Sequence, residues 1–154
     1  MKAVYSNFQG LNPSVSGNNS KNDSVFLHQI IEQFVKALLP VAVRNSSFII
    51  NDIPQHLCIS GDASTLTTAI KGLLRSVVFN ARETCIRISA KDLYSNTSVI
   101  SVRDSNSFNT FAVACGLQDV LPLAQKLGGD IDIINEKQHI TTIAFRFPLI
   151  QKTA

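Results

Sequence analysis

The side chains that could do chemistry are few and scattered. Three histidines (His28, His56, His139) and three cysteines (Cys58, Cys85, Cys115) lie far apart, with no CxxC pair and no Cys/His spacing suited to zinc. They predict no metal centre and no Ser/His/Asp arrangement, and we assign no catalytic residue. An odd, dispersed cysteine set predicts reduced thiols and a cytoplasmic setting. His28, in "FLHQII", falls within an apolar-striped helix and reads as a boundary histidine. Two acids stand beside regular elements. Asp62 precedes an apolar-periodic run and reads as a helix cap. Asp104 closes the run "VISVRD" and reads either as the opener of a turn or as a hydrogen-bond acceptor for a ligand. Lys71 and Arg75, four apart, read as one solvated helix face.

The elements that must position these residues follow from periodicity. Phe26, Leu27, Ile30, Ile31, Phe34, Val35 and Leu38 predict a helix capped by Ser24 and ending near Pro40. "SSFIIND" and "HLCIS" predict two short strands joined by the Pro-containing turn "DIPQ". Leu66, Ile70, Leu73, Leu74 and Val77 predict a one-sided helix from Asp62 to about Asn80. "CIRISA" and "VISVRD" predict strands joined by the polar connection "KDLYSNTS". Leu117 to Leu127 predicts a third helix stopped by Gly128-Gly129. Pro122 suits a first turn, so that helix starts later than Leu117 or bends there. "DIDII" and "TTIAFRFPLI" predict a last hairpin around "NEKQH". The expected fold is α+β: a two-layer α/β sandwich with a mixed, mainly antiparallel sheet and helices on one face.

The bulk numbers bound the function. A chain of 154 residues suits one core. Residues 1–23 include the Ser/Asn/Gly-rich "NPSVSGNNSKND" and predict an arm or linker, with the domain spanning 24–150. With 16% charged residues the surface carries apolar area that awaits a partner, and a net charge of +3 from scattered single basic residues predicts no nucleic-acid binding. No window predicts a signal peptide or a membrane span.

Local sequence resembles the ATP-binding domain of sensor histidine kinases, in the GHKL ATPase superfamily. The resemblance runs through "GDASTLTTAIKGLLRSVV" (Gly61 to Val78), "VRDSNSF" (Val102 to Phe108) and "GLQDVLPLAQKLGGDIDIINEKQHITTIAFRFPL" (Gly116 to Leu149). It implies the Bergerat-type ATPase fold. It also implies that Asp104 holds the adenine-anchoring position and that Ser76 holds the position of the family's magnesium-binding Asn, with Gly72 in place of the Asn before it. Both are vestigial on this reading. Asn106 and Phe108 replace two glycines of the pocket, and Ile140-Thr141 stands for the late "GT". Only eleven residues separate Asp104 from Gly116, too few for the family's lid. Phe108 and Phe111 are expected to plug the old pocket.

The sequence therefore predicts a non-catalytic histidine-kinase ATPase-like domain, acting as a protein-interaction or regulatory module in two-component-type signalling, with no cofactor. The expected partner is a kinase helical hairpin or a response-regulator receiver, and self-association through the N-terminal segment would give a homodimer. The alternative is a kinase or ATPase that binds ATP with Mg²⁺ through Asp104 and Ser76 and acts in trans on a partner protein.

Overall fold

The structure is a computed structural model and describes residues 25–59, 61–93, 96–106, 110–136 and 139–148. The expected arm over residues 1–23, the cap at Ser24 and the plug at Phe108 lie outside these. The elements run β1 (Val25–Phe26), α1 (Leu27–Arg44), β2 (Phe48–Asn51), β3 (Cys58–Ile59), α2 (Ala63–Asn80), β4 (Cys85–Leu93), β5 (Thr97–Asp104), α3 (Thr110–Gly116), α4 (Leu121–Lys126), β6 (Asp130–Glu136) and β7 (Ile140–Pro148). A five-stranded mixed sheet has the order β2-β4-β5-β7-β6, and β1 and β3 form a separate two-stranded pair. The helices cover one face, as the α+β reading expects.

The pleat sorts the residues. Ile88, Val102 and Ile143 are register partners across β4, β5 and β7, as are Ala90, Ile100 and Phe145 one pleat further along. These positions face the helices, and Ile88, Ile100, Val102, Ile143 and Phe145 are buried. From above, α1 contributes Leu27, Ile31, Leu38 and Ala42, and α2 contributes Leu66, Ile70, Leu73, Leu74 and Val77. The opposite face is polar and carries the ion pairs Arg103–Glu136 and Arg146–Asp130.

Two expectations are corrected. Helix α1 does not end at Pro40 but continues through it to Arg44. Pro40 and Lys36, whose carbonyl loses its helical donor, are both exposed, so water can serve that carbonyl, while Ala42 continues the buried stripe. The runs around "DIPQ" do not pair with each other. Strand β2 joins β4 in parallel, which the α2 crossover between them permits, and β3 pairs with β1. The third helix starts later than Leu117, as Pro122 implies: α4 begins at Leu121 with Pro122 in its first turn, and α3 is a further short helix ahead of it.

The cap on α2 is as expected. Asp62 accepts hydrogen bonds from the Thr65 hydroxyl (2.5 Å) and the Thr65 amide (3.1 Å). These bonds hold its carboxylate below the ordinary 3.8. A folded-state value below the unfolded one adds stability that is fully present above the unfolded value and is lost as pH falls through the folded one. Asp62→Ala is therefore expected to lower the melting temperature at neutral pH, with the gap from the natural chain closing in acid. Melting curves from neutral pH down to pH 2 check this, and a gap independent of pH would contradict it.

Candidate functional site

Asp104 ends β5 in a row of inward-facing residues, Ile86, Asp104, Thr141 and Asn135, that crosses β4, β5, β7 and β6. Asp104 and Thr141 are each 4% exposed. Burying these polar groups requires partners, and protein groups supply them. The Thr84 hydroxyl donates to Asp104 Oδ1 at 2.7 Å, and the Asn106 amide donates to the same oxygen at 3.0 Å, closing an Asx turn. The Thr141 hydroxyl donates to Asn135 Oδ1 at 3.1 Å. Thr110, the first residue of α3, donates to that oxygen at 3.2 Å and lies 3.4 Å from the Thr141 hydroxyl. Asp104 thus performs the turn-opening role, and Thr110 ties the start of α3 to the sheet.

From there α3 lies directly on α2. The Ser76 hydroxyl is buried and donates to the Val113 carbonyl at 2.9 Å. A Cβ on Gly116 would meet Ser76 Oγ at 2.3 Å, and one on Gly72 would meet Val120 Cγ2 at 2.7 Å. Gly72 and Ser76, four apart on α2, are therefore small where the α3–α4 segment crosses them. Val113, Leu117 and Val120 are buried in this contact. Phe111 is 81% exposed, which corrects its expected role as a plug. The aliphatic face of the short helix does the filling instead. Beside the contact an open groove of about 390 Å³ remains, lined by Gly72, Arg75, Phe79, Asn80, Asp119 and Val120 among others.

The other candidates stay separate. His28 Nδ1 lies 2.8 Å from the Ile53 carbonyl, in a boundary position. The cysteines are free thiols, and among the described residues no group of three or more His, Cys, Asp or Glu could hold a metal. Arg75 places its guanidinium 5.5 Å over the Phe79 ring. Among the described residues no helix is long and apolar enough to cross a membrane. Sequence reasoning missed Thr84, Thr110 and Asn135, since single hydroxyl and amide residues in turns and strand ends carry no periodic signal.

Asp104 Oδ1 is held by Thr84 and Asn106, and the Ser76 hydroxyl proton is held by the Val113 carbonyl of α3. The packing is testable. Gly116→Ala displaces the Ser76 hydroxyl from its acceptor and is expected to cost about 1–3 kcal/mol. In a Ser76→Gly background the added cost should be smaller, and a double-mutant cycle by urea unfolding measures the difference. Strictly additive costs would contradict the contact.

The fold is that of histidine-kinase ATP-binding domains. Structural similarity to solved kinases carries this statement. Histidine kinase AdeS of Acinetobacter baumannii matches with a TM-score of 0.69 at 12% identity, over 97% of this chain and 79% of that one. Full-length ShkA, solved in complex with AMPPNP, matches with a TM-score of 0.69 at 16% identity, over 92% of this chain but 34% of that one. The catalytic domain of ThkA matches with a TM-score of 0.64 at 12% identity, over 84% of this chain and 97% of that one. No family model and no curated protein matches the sequence.

Proposed function

We propose that the chain is a non-catalytic, histidine-kinase ATPase-like module that works by protein contact in two-component-type signalling. Its partner on this reading is a kinase helical hairpin or a response-regulator receiver. The observation that carries the reading is the direct seating of α3 on α2, with the Ser76 hydroxyl bonded to the Val113 carbonyl. The scaffold persists while the groups that would serve a nucleotide serve the fold instead, and a fold does not by itself confer the activity of its relatives. The alternative is an ATP-dependent enzyme that uses Asp104 and Ser76.

Thermal unfolding with and without millimolar Mg-ATP tests the proposal. A ligand present at about 100 times its Kd adds about 2.7 kcal/mol to stability. An unchanged melting temperature is expected, and a rise of several degrees would favour the enzyme.

A further inference from the structure

Building on the reading of the domain as a protein-binding module, we propose that the groove between α2 and the α3–α4 turn, with the basic stripe beside it, docks an acidic amphipathic helix of a partner protein. The groove follows α2 through Gly72, Arg75, Ser76, Phe79 and Asn80. Eight residues of helix span about 12 Å, so this is a channel running along a helix rather than a pit. It borders no free strand edge, since the edges of the sheet are β2 and β6. A guest therefore has no backbone ladder to extend, and a helix laid in the groove is the mode that fits.

The charges set the chemistry of the guest. Thr68, Lys71, Arg75, Phe79 and Arg82 recur at three and four along α2 and just beyond it, and all are exposed. Three arginines on the sheet pair with carboxylates: Arg87 with Asp52, Arg103 with Glu136, and Arg146 with Asp130 and Asp132. Lys71, Arg75 and Arg82 form no ion pair among the described residues. Arg82 instead donates to the carbonyls of Phe79 and Ala81, and Arg75 lies over the Phe79 ring. The acids nearby are Glu83, which follows Arg82, and Asp119 on the opposite lip of the groove. One wall is thus basic, and carboxylates of a guest facing α2 would meet three cations.

The apolar component on this wall is Phe79, which lines the groove, is 45% exposed and lies under the Arg75 guanidinium. An exposed aromatic ring among arginines is a combination from which interface anchors are commonly built. An apolar stripe on the guest would cover it, with its carboxylates on the α2 side.

The probe is a synthetic helical peptide of about 18 residues with leucines along one face and glutamates flanking them. A matched peptide carries lysine at every glutamate. Each is titrated into the ¹⁵N-labelled full chain. The expected result is amide shifts at Lys71, Gly72, Arg75, Phe79, Gly116 and Asp119 with the acidic peptide and none with the basic one. Arg75→Glu and Phe79→Ser alter exposed side chains, should keep the spectrum dispersed, and should each weaken binding by about tenfold or more.

No shifts, shifts elsewhere, equal response to both peptides, or binding that survives both variants would overturn the proposal. So would shifts of the same amides with duplex DNA alone, which would assign the stripe to phosphate. A dimer in sedimentation that Phe79→Ser dissociates would overturn it in favour of a second copy of this chain. Mg-ATP added to the same sample reports separately on the underlying reading: shifts centred on Asp104 and Thr141 would refute that reading whatever the peptides do.

Discussion

A Phe145→Ala variant is expected to unfold about 3–5 kcal/mol more easily than the natural chain. Phe145 is fully buried on β7, with Ile100 on one side and Ile131 on the other as register partners. Its ring lies 5.2 Å from that of Phe147, tilted by 43°. Removing it loses the transfer energy of the ring and leaves a void that neighbours held on three strands cannot collapse to fill. Domains of this size are stable by only about 5–15 kcal/mol, so the loss takes a large share. Urea denaturation measures it through the midpoint at constant slope. A loss below about 1 kcal/mol would mean that Phe145 is not at the centre of the core.

Gly129→Ala is expected to cost more than about 3 kcal/mol, because the added atom meets backbone rather than a movable side chain. Its Cβ would lie 1.9 Å from the Arg146 carbonyl oxygen and 3.0 Å from Phe147 Cα. Both atoms belong to β7, so relief requires the β6–β7 pairing to shift. That pairing positions Asn135 opposite Thr141, and the damage should therefore reach the polar row beside Asp104. Gly128→Ala provides the comparison. Its φ of 75° makes a side chain strained, but the nearest atom to its Cβ is Pro148 Cγ at 3.4 Å. A cost of about 1–2 kcal/mol is expected there. Chemical denaturation of both variants checks the order, and equal costs would contradict the close approach at Gly129.

Much of this fold is legible in the sequence where the pattern is long. The α2 stripe from Leu66 to Val77 repeats over several turns and is bounded by Asp62, so its limits follow almost to the residue. Gly128-Gly129 likewise marks the end of α4, where the Gly128 and Gly129 amides bond the carbonyls of Gln125 and Ala124. Short elements escape. Strand β1 has two residues and offers no alternation to detect, and β3, expected within "HLCIS", gives no sign that β1 is its partner. Helix α3 has seven residues, and its large aromatic, Phe111, faces solvent while the smaller Val113 faces the core.

The site was half legible. Gly72 and Ser76 stand out at the positions where the kinase resemblance expects asparagines. Read as losses they say only what is missing. Read as two small residues one turn apart, they also signal the close approach of another helix, and the structure puts the α3–α4 segment there. The partners of Asp104 were beyond reach, because Thr84 lies twenty residues away and precedes a strand without a distinguishing pattern.

The central claim is that Asp104 and Ser76 serve the fold rather than a nucleotide, and calorimetric titration of Mg-ATP and Mg-ADP into the full chain tests it most directly. The account predicts no binding heat at millimolar nucleotide, for the natural chain and for Asp104→Ala alike. Micromolar binding to the natural chain, abolished by Asp104→Ala, would contradict it and establish Asp104 as an adenine anchor.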